Sequence, residues 1–306
     1  MSAPSSYSLK AWLALLAVCV IWGTTYLANK VGVTHVPPLL FSAIRQLLAG
    51  FLILGWFVLR SRMPWWDWTY LRFQMGIGLL MLSIGNGLSL VALRYLPSGI
   101  AALLSAALPF VMVMLNVIMQ TDERPRLLSI LGISVGMLGI AYMSWDELTL
   151  SADVGYVWGL VFLFLAQVGW AYGSIISKSR KWAYPVLLNA GIQMVAGGAL
   201  TLLVSAPMED WTGAVWLPEV TWSMIYLVLL GSLVAYTSYM YALAHMPATI
   251  VSIYAYINPL IALVVGWAIL DERLDQQVGI ATLLILTGVY LVNRDFQRAR
   301  KRVRIP

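Results

Sequence analysis

Charge is scarce in this chain: of 306 residues, 10% are Asp, Glu, Lys or Arg and 61% are hydrophobic. An ordinary soluble domain carries roughly 25% charged residues. A water-soluble chain of this length could not cover its outside with so few polar groups. Lipid is the solvent that such a surface matches. Cysteine is scarcer still. Cys19 stands alone, which excludes an internal disulfide. With only two histidines, far from it and from each other, no metal-ligand cluster is expected, and no cofactor either. No Walker A sequence, HExxH helix or Ser/His/Asp constellation is present, so neither an ATP-driven pump nor an enzyme is expected. The formal charge of +6 could suggest nucleic acid. Basic residues flanking membrane spans account for it better, so a lipid bilayer and a small molecule are the expected partners, and nucleic acid is not.

A bilayer core of about 30 Å takes roughly 20 apolar residues as helix. On that ruler the chain divides into Ala11–Val31, Pro38–Leu59, Phe73–Leu93, Ser98–Met119 and Leu127–Ser144. A second series follows: Val154–Ser177, Pro185–Ala206, Trp222–Leu243, Ala248–Leu270 and Val278–Asn293. The expected fold is therefore an all-α polytopic membrane protein of ten transmembrane helices. The runs are continuous rather than alternating, which argues against barrel strands. The first run is too long for a signal peptide's apolar core and has no clear cleavage site, so it is read as retained. With the N-terminus placed in the cytoplasm, all but four of the 19 Lys and Arg fall on the inner side or in the basic tail 294–306. The exceptions are Lys30, Arg94 and Arg273 near outer ends, and Arg45 inside a span. This bias places both termini in the cytoplasm. Trp65, Trp66 and Trp68, and Trp211, Trp216 and Trp222, stand where interfacial aromatic rings belong.

The two series resemble each other. Trp22 and Trp170, Arg45 and Gln193, and Gly50 and Gly198 are 148 residues apart. Pro97 and Pro247, Pro109 and Pro259, and Ala92-Leu93 and Ala242-Leu243 are 150 apart; Asp122-Glu123-Arg124 and Asp271-Glu272-Arg273 are 149 apart. The two repeats are 11–144 and 154–293. Each contains an odd number of spans, so the second is expected to run upside down relative to the first. Inverted repeats are a recurring device of secondary transporters, because exchanging the conformations of the halves turns a cavity open to one side into one open to the other. A static duplicated membrane protein is the alternative.

The stretch Ile21-Trp22-Gly23-Thr24-Thr25-Tyr26 resembles the first-helix signature of EamA-type carriers of the drug/metabolite transporter superfamily, as does Pro38 followed by Arg45. The similarity extends through Ala242-Leu243-Ala244-His245-Met246-Pro247-Ala248, Tyr256-Ile257-Asn258-Pro259 and Leu270-Asp271-Glu272-Arg273. Its first-half twin runs from Arg94-Tyr95-Leu96-Pro97-Ser98-Gly99-Ile100-Ala101-Ala102 to Pro109. With Gly85-Asn86-Gly87, the pattern is most similar to the YedA-like branch. The resemblance implies two EamA repeats, cytoplasmic termini and a central cavity lined by helices 1, 3, 4, 6, 8 and 9. It further implies a bacterial inner-membrane location and the export of amino acids and related metabolites. A lipid flippase or a non-transporting receptor or scaffold is the alternative. A monomer is expected, with a weak homodimer as the other option.

On the helices so assigned, polar and aromatic groups gather that suit a small amphipathic molecule. The candidate substrate contacts are Trp22, Thr25, Tyr26, Asn86, Ser105, Trp170, Tyr172, Tyr236, Tyr239, Tyr254 and Asn258, with Ser83, Ser89, Gln167, Ser238, Ser252 and Tyr256 nearby. Interhelical hydrogen bonding is the competing role for each. Pro109 and Pro259 are candidate hinges, since each denies a donor to a carbonyl four residues back, at Ser105 and Ala255. Gly132, Gly136 and Gly139 are assigned to helix packing. Arg45, the intramembrane charge, could hold a substrate carboxylate in a two-pronged fork. A structural role, bonded to backbone carbonyls or snorkelling outward, is weighted above it, because the resemblance sets helix 2 outside the cavity wall. No aspartate or glutamate lies well within a span, so the carboxylate relay of proton-coupled carriers is missing.

Overall fold

A computed structural model describes residues 7–60, 67–96, 101, 105–119, 127–143, 154–270 and 276–302. Within them every regular element is helical. Six helices are long and apolar enough to cross a membrane: α1 (Leu9–His35), α2 (Pro38–Leu59), α3 (Trp68–Ala92), α6 (Val154–Ser179), α7 (Val186–Met208) and α8 (Pro218–His245). The other helices are α4 (Leu108–Ile118), α5 (Leu127–Met143), α9 (Tyr254–Leu270) and α10 (Gln276–Arg302), whose apolar stretches are shorter, Gly279–Val292 in α10. One turn of helix, Ala248–Val251, leads into α9. Pro97, Ser98, Trp65, Trp66 and both Asp-Glu-Arg motifs lie outside the described residues.

Local chemistry sets the ends. The Ser8 hydroxyl accepts from Ala11 N at the start of α1, and Asp67 accepts from Tyr70 N at 3.0 Å at the start of α3. Pro38 and Pro218 open α2 and α8, where a missing N–H costs nothing. The first turn of α2 has a further cap from a distant part of the chain. The two carboxylate oxygens of Glu209, just past α7, accept from Leu39 N and Leu40 N, each at 2.9 Å, and Ser205 Oγ donates to the same carboxylate. An anion there is favoured both by the exposed N–H groups and by the helix dipole.

The packing treats the two halves alike. α2 lies on its repeat equivalent α7, and α5 on its equivalent α10. The pair α1–α8 is mirrored by α6–α3, α1–α9 by α6–α4, and α2–α8 by α7–α3. Both equivalent pairs run antiparallel. Gly198 approaches Leu47, Gly50 approaches Val195, and Gly191 approaches Ile53, so one helix is read forwards as the other is read backwards. A Cβ on Gly50 would lie 2.7 Å from the Val195 side chain and 2.9 Å from its backbone nitrogen. Along the other seam a Cβ on Gly132 would lie 2.8 Å from Gly288 O, and one on Gly139 2.7 Å from the Leu284 Cβ. Small residues let the backbones approach this closely, which in lipid substitutes for a hydrophobic drive between helices.

α3 and α8 share a feature with no obvious counterpart in side-chain pattern. Each widens to π-helical winding in its middle, over Leu79–Gly87 and Leu227–Tyr236, segments that start 148 residues apart. The matched prolines are less alike. Pro109 occupies the first turn of α4, where proline is tolerated, whereas Pro259 lies inside α9. A single helix over 98–119 would put Pro109 near its middle, whereas α4 starts at Leu108.

Candidate functional site

A cavity of about 170 Å³ opens at the centre of the bundle. Its lower boundary is a cluster of rings. Trp22 and its repeat equivalent Trp170 meet edge to face at 5.5 Å, and Trp22 also meets Tyr254 at 4.9 Å and Tyr239 at 5.3 Å. Trp170 meets Tyr239 at 5.4 Å and Tyr236 at 6.2 Å. Such tilted contacts suit the ring quadrupoles and fix each plane. The indole N–H groups are anchored as well: Trp22 donates to Gly231 O on the widened part of α8, and Trp170 to Tyr239 OH, both at 3.0 Å. The close approach of α1 to α9 behind Trp22 depends on Gly23, where a Cβ would lie 2.7 Å from the Ile261 Cβ. Asn258 bridges the same two helices. Its amide nitrogen donates to Cys19 O and Tyr254 O, at 3.0 Å each, in the orientation its neighbours require.

Beyond the rings, towards the C-terminal end of α1, the wall turns polar. Asn29, Arg45, Gln46, Asn86, Ser89, Ser105 and Gln167 line it, with Leu82, Leu90, Leu93, Ala101 and Leu163 between them. Arg45 donates to Asn86 Oδ1 at 2.7 Å and to Asn29 Oδ1 at 3.2 Å. Ser42 Oγ donates to the same Asn86 oxygen at 2.9 Å, and Gln46 Nε2 to Ser42 Oγ at 2.8 Å. The Ser105 and Ala255 positions, whose carbonyls face a proline four residues on, both belong to the wall. On the opposite side of the rings the described residues pack together. Ala11, Leu15, Val18 and Cys19 of α1, Met240 and Leu243 of α8, and Ile250 and Val251 are all buried there. Tyr236 OH donates to Gln193 Oε1 at 2.7 Å, and Gln193 Nε2 to Gln74 Oε1 at 2.6 Å, which ties α8, α7 and α3 together.

Of the candidates read from sequence, Trp22, Thr25, Asn86, Ser105, Trp170, Tyr236, Tyr254 and Asn258 come together around the cavity. Tyr239 is fully buried beneath it, bonded to Trp170 and Ser174. Tyr172 points the other way and is 38% exposed on the outer face. The Tyr26 side chain lies outside the described residues. Arg45 differs most from expectation: α2 is part of the wall, and the guanidinium faces the cavity at 7% exposure. Asn29 and Gln46 were not singled out from sequence. A signal existed, because Asn29 lies four residues after Thr25 and Gln46 four after Ser42, each on a shared helix face.

The model of the EamA-like transporter family matches residues 9–145 and 157–294, one match to each half. The "Uncharacterized inner membrane transporter YedA" of Escherichia coli K12 is 32% identical over 285 residues, covering 91% of this chain and 89% of that protein. The "Probable amino-acid metabolite efflux pump" of the same strain is 26% identical, covering 96% and 97%. A solved crystal structure superposes with a TM-score of 0.76 at 20% identity, over 96% of this chain and 99% of that one, and so shares the fold.

Proposed function

The chain belongs to the EamA-like transporter family, and from that premise we propose that it is a secondary transporter moving a small amphipathic metabolite, amino acids included, by alternating access. The observation that carries this reading is the antiparallel packing of equivalent helices around a cavity closed on one side. Two equivalent helices that lie side by side and antiparallel are related by a two-fold axis perpendicular to both. If they span the bilayer, that axis lies in the membrane plane, and the repeats are inverted. The other helices α4, α5, α9 and α10 then complete ten spans. With the N-terminus inside, as the basic residues favour, the cavity faces outward and the packed side faces the cytoplasm. The similarity to a protein named as an amino-acid metabolite efflux pump supports export through the inner membrane.

A cavity of about 170 Å³ falls below the roughly 300–1,000 Å³ of drug-sized pockets. It suits a metabolite better than a drug or a lipid headgroup with its chains. No carboxylate lines it among the described residues, and none lies well within an expected span, so transport follows the substrate gradient with weak or no proton coupling. The test is flux of radiolabelled amino acids from liposomes containing the purified protein. Flux above protein-free vesicles, changed by less than about twofold by an imposed pH gradient, is the expected result given the missing relay. Strong acceleration by the gradient contradicts the uncoupled reading, and no flux of any amino acid contradicts the substrate class.

A further inference from the structure

We propose that Arg45 is the anchor for a carboxylate on the transported molecule, so that the cavity selects carboxylate-bearing substrates whose apolar body rests on Trp22 and Trp170. The proposal rests on the transport reading of the same cavity and names what that cavity recognises.

Arg45 is the only charged residue in the described wall, and no acidic side chain accompanies it. A guanidinium carries five N–H donors in a planar fork. Protein atoms take two of them, through the neutral amide oxygens of Asn29 and Asn86, and the buried Nε has no partner. A buried cation without a counter-ion is among the more costly arrangements a membrane interior can hold. Here the cost is not relieved by an ion pair with any described residue. It is relieved in part by a scaffold that orients the group: Asn86 Oδ1 takes bonds from both Ser42 and Arg45, and Gln46 holds Ser42 in turn. This is how a site is built when the anion arrives with the ligand. The Nε–H is shut off from the cavity, so the terminal N–H groups that Asn29 and Asn86 leave free are the ones that receive the carboxylate.

Spacing supports the same substrate. Asn29, which holds Arg45, lies seven residues beyond Trp22 on α1, about 10 Å along the helix. A molecule with a carboxylate at one end and a ring or branched chain at the other spans that distance. The rings below offer apolar faces, and an ammonium group, if present, meets their negative quadrupoles.

The test uses three probes with one body: 3-phenylpropionate, its neutral primary amide, and 3-phenylpropylamine. Binding to the purified protein is read from thermal shift at constant ionic strength. The carboxylate is expected to bind at least about tenfold tighter than the amide, as a charge-assisted bond implies. Arg45→Gln is expected to erase that preference, and Arg45→Lys to keep part of it. Asn86→Asp guards against misfolding of the Arg45 variants. It supplies an internal counter-ion within hydrogen-bond reach and is expected to raise the melting temperature while removing the carboxylate preference. Equal binding of the three probes to the wild type, blocked by the cavity-filling Ala166→Trp, overturns the anchor and leaves the cavity reading intact. A carboxylate preference that survives both Arg45→Gln and Asn86→Asp also overturns the anchor. Binding of none of the three, or binding indifferent to Ala166→Trp, overturns the cavity reading as well.

Discussion

Arg45 and Gln193 hold the same position in the two repeats, and their surroundings could hardly differ more. Around Arg45 stand Asn29, Gln46 and Asn86, which border the cavity, and the buried Ser42. At the equivalent positions, 148 residues on, stand Ser177, Ala190, Met194 and Val234. Gln193 itself is fully buried and satisfied, its oxygen by Tyr236 and its nitrogen donated to Gln74. The duplicated backbone is symmetric, with matched pairings and matched π-helical segments. The side chains written onto it are not. One half carries a charge held by neutral amide oxygens, and the other carries a neutral clasp. The lesson is that a backbone duplicated with matched pairings can still carry two chemically different sets of side chains at equivalent positions.

That contrast can be broken by exchanging the two residues. Gln193→Arg buries a cation where Tyr236 and Gln74 offer two neutral contacts and no open space; a loss of about 3–5 kcal/mol is expected, seen as failure to accumulate or a collapsed melting temperature. Arg45→Gln is expected to melt at or above the wild-type temperature, because it removes a buried charge that has no counter-ion among the described residues. Equal destabilisation by both exchanges contradicts the account. A smaller effect sharpens it. Tyr236→Phe removes the hydroxyl that clasps Gln193 and is expected to cost about 1–2 kcal/mol, the upper range for a polar contact within a membrane. Thermal unfolding in detergent measures it, and no change at all means that the clasp does not hold the packed side closed.

Much of this was legible in the sequence. The bilayer sets a length that apolar runs must meet, and a near-constant offset between Trp22 and Trp170, or Gly50 and Gly198, exposes a duplication without any structure. Gly132 and Gly139, assigned to helix packing, lie on the seam where α5 meets α10. Facing was harder, yet partly available. Tyr172 lies two residues from Trp170, and side chains two apart do not share a helix face, whereas Gln167 and Ser174, three before and four after it, do. Tyr172 accordingly lies outside the cavity. The π-helical segments were not legible, because widening of a helix depends on what packs against it and leaves no fixed residue signature. The place of Arg45 was not legible either. Its helix was set behind the wall by analogy, and only packing against α3 and α8 turns that face inward.

The central claim is that the two halves exchange roles, and one pair of residues tests it most directly. Ser89 of α3 lines the open cavity, while on the equivalent helix α8 the Thr237 hydroxyl is buried without a hydrogen-bond partner among the described residues. With Cys19 replaced by alanine, single cysteines at 89 and 237 can be treated with a membrane-impermeant thiol reagent in intact cells and in inverted membrane vesicles. Ser89→Cys is expected to react from the outside, and Thr237→Cys only from the cytoplasmic face, each becoming less reactive under conditions that favour the other. Reaction of both from the same face, or no reaction of Thr237→Cys from either, would contradict the exchange.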